Sequence, residues 1–214
     1  MKYLITSLII ALFSFSSCKK KELEFKFSGN IKDINSGLNI ANAEIRYYTS
    51  NLGNNVEALK GNTKTDASGN YEVTIERSKF ETLTVKIRKE NFFNKDENYS
   101  IDDLTSSESN EINYNLSPQS WTKFIFKNAS PSNSSDELKI QKVSGKTNCN
   151  ECCGNETTYY YGSIDTVVYC PNDGDSYMKF YWWVNGNEQN GDENLYNAPF
   201  DTTSFTINYW WMLG

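Results

Sequence analysis

Four cysteines, Cys149, Cys152, Cys153 and Cys170, form a C-x2-C-C-x16-C set whose chemistry depends on its oxidation state. As thiolates, four sulfurs suit tetrahedral zinc, and C-x2-C has the ligand spacing. The matching half of such a site would need a second C-x2-C, yet here Cys153 directly follows Cys152. An even-numbered set in an oxidising compartment instead favours two disulfides. Cys149–Cys153 with Cys152–Cys170 is one arrangement, and Cys149–Cys152 with Cys153–Cys170 is the other. A bridge from the 149–153 segment to Cys170 closes a loop of about 20 residues, worth roughly 3 kcal/mol on the chain-entropy model.

A second set of residues is aromatic. In the segment from Met178 to Asn185, period two puts Met178, Phe180, Trp182 and Val184 on one face and Lys179, Tyr181, Trp183 and Asn185 on the other. The first face reads as core. The second mixes charge and amide with two large rings, so Tyr181 and Trp183 are expected to be partly exposed. Phe205, Ile207 and Tyr209 likewise point inward and leave Trp210 facing out. Such rings can stack on sugars, anchor a protein partner or cover a seam between domains. Two acidic loops, 172–176 and 190–194, carry oxygen ligands suited to calcium but lack the EF-hand pattern, and read as solvated turns.

Histidine is absent from all 214 residues. That excludes Ser-His-Asp and Cys-His nucleophilic sites and imidazole-bound iron or zinc. An enzyme made from this chain would need paired carboxylates or a Ser-Lys pair, and no local motif marks either. The expectation is a non-enzyme with no catalytic residue, no cofactor and no resident metal. A small glycosidase working through two carboxylates is the enzymatic alternative. With 21 Lys and Arg against 27 Asp and Glu, the net charge is −6. Nucleic-acid binding needs clustered cations, so no nucleic-acid partner is expected.

These residues must be positioned by strands. Short alternating runs recur between clusters of Gly, Asn, Asp and Ser, and no segment after residue 18 keeps a helical period. Strands are predicted over Glu24–Asp33, Ala43–Tyr48, Asn70–Ile75, Thr82–Arg88, Glu111–Leu116, Trp121–Lys127, Glu137–Val143, Ile164–Tyr169, Met178–Asn185 and Thr202–Tyr209. The fold class is all-β, with two β-sandwich domains. A division near Ser117-Pro118-Gln119 separates residues 25–117 from 118–214. All five tryptophans and every cysteine after Cys18 lie beyond it.

The first domain carries a family pattern. Phe27-Ser28-Gly29-Asn30-Ile31-Lys32-Asp33 leads through Asn35-Ser36-Gly37 to the segment Leu38–Ile45, and Thr65-Asp66-Ala67-Ser68-Gly69-Asn70-Tyr71 follows. Physically, Asp66 can accept turn amides, Gly69 can take positive φ and Tyr71 starts the returning strand inward. The pattern resembles the carboxypeptidase regulatory-like domain, a transthyretin-like sandwich common in Bacteroidetes envelope proteins. The resemblance implies an accessory module without catalytic residues. The 118–214 half is similar only to uncharacterised lipoproteins of the same arrangement.

At the amino terminus, Met1-Lys2 precedes a largely apolar run from Leu4 to Phe15, then Ser16-Ser17-Cys18. Twelve helical residues cover about 18 Å, short of the ~30 Å hydrocarbon core. The pattern resembles a bacterial lipoprotein signal peptide. It implies cleavage of residues 1–17, acyl chains such as palmitate on Cys18, a stalk over 18–24, and a protein held by membrane lipid at the outer membrane on an undetermined face. The function expected is a non-catalytic binding or structural role in the cell envelope, with an envelope protein or a glycan as partner. A carbohydrate-binding accessory protein stacking sugars on Tyr181, Trp183 and Trp210 is the alternative.

Overall fold

A computed structural model describes residues 23–51, 54–128, 131–149, 151–186 and 192–209. Cys18, the signal segment, the stalk up to residue 22, Trp210 and part of the second acidic loop lie outside the described residues. Within them every extended element is a strand. The first half holds β1 (Glu24–Asp33), β2 (Glu44–Asn51), β3 (Asn54–Lys64), β4 (Asn70–Glu76), β5 (Thr82–Arg88), β6 (Lys95–Ser100), β7 (Ser109–Glu111) and β8 (Tyr114–Leu116). The second holds β9 (Gln119–Asn128), β10 (Glu137–Ser144), β11 (Thr158–Tyr161), β12 (Asp165–Asp173), β13 (Ser176–Val184), β14 (Asp192–Asn197) and β15 (Thr202–Tyr209). The fold is all-β.

Each half is a sandwich with its own core. In the first, β4 pairs antiparallel with β1, and β1 pairs in parallel with β7 and then β8. Facing it is the antiparallel sheet β3-β2-β5-β6. Alternation drives the packing: Phe25, Phe27 and Ile31 of β1 meet Ile45 and Tyr47 of β2 and Leu83, Val85 and Ile87 of β5, all buried. In the second half, β12-β9-β15 faces β11-β10-β13-β14. Phe124, Phe126, Leu138, Met178, Phe180 and Ile207 fill the space between. Phe180 sets its ring edge against Phe124 and Phe205, at 4.7 and 5.0 Å between centroids.

Two local features depart from the expected pattern. The run Glu111–Leu116, expected as one strand, is split into β7 and β8. At the break Ile112 donates its N–H to Ser28 O, its carbonyl accepts from the Tyr71 hydroxyl, and Asn113 Oδ1 accepts from Asn30 N–H. A Cβ at Gly29 would overlap the Ile112 carbonyl, so only glycine lets β1 pass this crossing. β3, β6, β11 and β14 were not foreseen, and each is an edge of its sheet. An edge strand here turns few side chains to the core; β6 has none fully buried.

The Asp66 turn fixes the return of β4. Asp66 Oδ1 accepts from Ser68 and Asn70 N–H, both at 2.8 Å. Gly69 has φ +75. The buried hydroxyl of Thr65 accepts from Ala43 N–H and donates to Ile40 O, tying this hairpin to the start of β2.

The halves meet without slack, since only Ser117 and Pro118 separate β8 from β9. Gln119 N–H donates to Asn91 O, Phe93 N–H to Ser117 O and Gly174 N–H to Pro118 O. Phe92 meets Phe200 edge-on at 5.2 Å, and the Lys146 ammonium lies 4.4 Å from the Phe93 ring centre. Neither Tyr181 nor Trp183 contributes to these contacts.

Two measurements test the first core. Gly29→Ala should cost ~1–3 kcal/mol in chemical denaturation, the usual penalty of overpacking, whereas exposed Gly37→Ala should act only through its positive φ. Burial pushes the Tyr71 phenol up to about 12 and raises Tyr47 and Tyr114 as well. A raised phenol pKa means the folded state holds its proton more tightly than the unfolded chain. The contribution is therefore complete below about pH 10 and is lost between pH 10 and 12, roughly 3 kcal/mol for Tyr71. Denaturant titrations across that window should show the fall, and Tyr71→Phe should make it shallower.

Candidate functional site

Because the core claims alternate residues of β10, β11, β13 and β14, the other alternate set has to face solvent. On β13 that set is Tyr177, Lys179, Tyr181 and Trp183. Register brings neighbours beside them: Tyr159 pairs with Lys139, which pairs with Trp183, while Gln141 pairs with Tyr181 and Tyr196 with Tyr177. Tyr161 stands beside Glu137 at the far corner. Six rings thus share one face of one sheet: Tyr159, Tyr161, Tyr177, Tyr181, Trp183 and Tyr196.

The rings are accessible to different degrees. Tyr161 is 60% exposed, Tyr177 56%, Tyr159 49% and Tyr196 43%, while Tyr181 and Trp183 are half-buried. The rings of Tyr159 and Tyr161 are nearly parallel, with 6.3 Å between centroids and 9° between planes. Tyr181 and Trp183 meet edge-on at 6.2 Å. Between them, Lys139 pairs with Glu137 at 2.9 Å and lies 5.7 Å from the Tyr159 ring centre. Lys179 lies 5.5 Å from the Tyr181 ring centre. The Tyr196 hydroxyl donates to Asp175 Oδ1, a bond that raises its pKa. The face therefore presents rings and hydrogen-bonding groups with its cations close to acids or π-faces.

Sequence alternation singles out Tyr181 and Trp183 on this face but passes over Tyr159, Tyr161, Tyr177 and Tyr196. A signal was available in Tyr159-Tyr160-Tyr161. Tyr160 points inward against Phe126 at 5.0 Å, so its two neighbours must point out. Trp210, the third predicted stacking residue, lies outside the described residues.

The four cysteines form Cys149–Cys152 and Cys153–Cys170, with 5.2 Å between Cα atoms in each pair. This selects one of the two expected arrangements and leaves no thiolate of the set to ligate zinc. Cys170 is buried on β12 opposite Thr122, so its bridge ties the loop before β11 to the opposite sheet. The Cys149–Cys152 loop borders a cleft of about 630 Å3 between the halves, lined by Arg88, Phe93, Asp96, Lys146 and Glu151. Its cations are engaged, Arg88 by Asp96 and Lys146 by Asp173.

The first acidic loop is used internally. Asp173 Oδ1 accepts from Lys146 Nζ and Ser117 Oγ, and buried Asn172 donates to Ser176 Oγ and Asn197 Oδ1. Among the described residues, no three His, Cys, Asp or Glu side chains converge.

No family model matches the chain, and no curated protein does. Among solved structures it is similar to the Bacillus anthracis TIE protein, at 10% identity and a TM-score of 0.36, over 87% of this chain and 34% of that one. It thus spans about a third of that protein's length. It is also similar to GBS52, the minor pilin of Streptococcus agalactiae, at 9% identity and a TM-score of 0.37, over 89% and 97% of the two chains. A candidate carbohydrate binding protein from Bacteroides uniformis shares 12% identity at a TM-score of 0.31, over 81% and 96%. A 3-chlorocatechol 1,2-dioxygenase from Rhodococcus opacus matches over 46% of this chain. Likeness of this degree assigns neither family nor activity.

The bridges can be ranked by variants. Removing Cys153–Cys170 as the double alanine variant should cost roughly 3 kcal/mol, and removing Cys149–Cys152 about 2, since the closed loops differ in length. Equal losses in urea denaturation would contradict the assignment of the longer loop to Cys170.

Proposed function

We propose that this protein is a non-catalytic binding protein of the bacterial envelope, held to membrane lipid by acyl chains on Cys18. The first sandwich, a carboxypeptidase regulatory-like module by its sequence pattern, acts as spacer, and the second carries the recognition face. The observation that carries this reading is the six-ring solvent face on β11, β10, β13 and β14. Surface of that kind, rich in Tyr and Trp and spread over a rigid sheet, is typical of recognition. Two further features support the address. The apolar run before Cys18 has the pattern of a lipoprotein signal, and both disulfides suit an oxidising compartment. One acyl chain gives only marginal membrane binding, so stable anchoring requires more than one.

The test is metabolic labelling with an alkyne fatty acid in a bacterial host that processes lipoproteins. The wild-type chain should label and sediment with membranes, and Cys18→Ser should do neither. An unlabelled wild-type chain retained in the soluble cytosolic fraction would remove the proposed address.

A further inference from the structure

Accepting the six-ring face as the recognition surface, we infer that its ligand is an extended, uncharged polysaccharide bound along a diagonal of the sheet. The argument begins with reach. Tyr161 and Tyr159 stand at one corner on β11, Trp183 and Tyr181 in the middle on β13, and Tyr177 and Tyr196 at the opposite corner. Glu137 pairs with Tyr161 and accepts the N–H of Asn185, so the first corner lies level with residue 185 of the β13 strand line. From there to Tyr177 is about 27 Å at ~3.3 Å per residue, and β11 to β14 adds about 14 Å across at ~4.8 Å per strand. The rings therefore mark out a diagonal of about 30 Å. A monosaccharide touches one or two of these rings; only a chain reaches them all.

Composition of the face then selects the chain's chemistry. Sugar rings offer flat C–H faces for stacking on aromatic planes and hydroxyls around their rims. Tyr159 and Tyr161 hold exposed, parallel rings against which sugar faces can stack, and Lys139, Glu137, Gln141 and Asn194 supply donors and acceptors between the rings. A protein-binding core would be expected to bring Met, Arg and other desolvated anchors while excluding Lys and Glu. Here the aliphatic side chains of these strands, Leu138, Ile140, Met178 and Leu195, pack inward. Val143, at the β10 bulge, is the exposed exception. Charge argues in the same direction. Lys139 is neutralised by Glu137 and Lys179 lies against a ring, so the face offers no cationic row for an acidic polymer. Affinity should accordingly be insensitive to salt.

Affinity gel electrophoresis of the disulfide-intact full chain tests this directly. The probes are hydroxyethylcellulose, xylan, galactomannan and amylose, with polygalacturonate as the acidic control. At least one neutral polymer should retard the protein equally at low and high salt. Its oligosaccharide series should tighten about ten-fold or more from dimer to hexamer. Tyr161→Ala combined with Trp183→Ala should abolish retardation while leaving a single cooperative urea transition, as expected for positions outside the core. If the monomer competes as well as the hexamer, or the double variant is retarded as before, the inference is overturned. A companion measurement replaces Tyr161 with benzoylphenylalanine in native envelopes. If no neutral polymer retards the chain but a protein cross-links at that position, the polysaccharide inference falls and the recognition face stands. If neither occurs, both fall.

Discussion

The pairing of β10 with β13 decides which side of the second sandwich is core and which is surface. Ile140 sits opposite Trp182, and Lys139 opposite Trp183. A slip of one residue would send Trp183, Tyr181 and Tyr177 toward the core and expel Trp182, Phe180 and Met178. The fully buried Met178 and Phe180 make that slip prohibitive. The aromatic surface therefore needs no separate device to hold it in place. It is the reverse side of a face whose hydrophobic burial already fixes the register.

Around that constraint, the two halves solve the same problem differently. The first sandwich relies on Phe and aliphatic packing with the buried tyrosines Tyr47, Tyr71 and Tyr114, of which Tyr71 reaches the Ile112 carbonyl and Tyr114 meets the half-buried Tyr99. The second has fewer fully buried large side chains and adds covalent closure through Cys153–Cys170. It also carries a polar layer near the seam, where Thr122 and Asn172 both donate to Asn197 Oδ1 and Ser120 caps the Asn172 and Asp173 carbonyls. These bonds define how β9, β12 and β14 are placed at this end of the sandwich. The seam between the halves inherits that definition through Asp173 and Gly174.

The legible parts of the sequence were those in which burial is one-sided and sustained. Thr82–Arg88 and Thr202–Tyr209 alternate cleanly because each lies against a full core, and their bounds follow from the pattern alone. Lys95–Ser100 and Asp192–Asn197 do not, since an edge strand with little to bury carries no periodic signal even though one side of its backbone is committed to pairing. The same logic governs the aromatic face. Tyr181 and Trp183 were visible because their inward neighbours are unmistakable. Tyr159 and Tyr161 lie on an edge strand whose single inward ring, Tyr160, is chemically identical to its outward neighbours. Tyr177 continues the alternation of Tyr181 and Trp183 just before the strand expected from Met178, while Tyr196 depended on a cross-strand pairing that no linear pattern reports. The choice between two disulfide arrangements likewise required knowing that Cys153, and not its neighbour Cys152, turns toward Cys170 on the opposite sheet.

Both sandwiches begin and end on adjacent strands that run in parallel, β1 beside β8 and β9 beside β15. Pulling on the two ends of either domain would therefore drag neighbouring strands past each other in opposite directions. The ladder between them would be loaded in shear, so its hydrogen bonds would have to yield together and not one at a time as in an unzipping hairpin. A chain of this topology resists tension applied between its two ends.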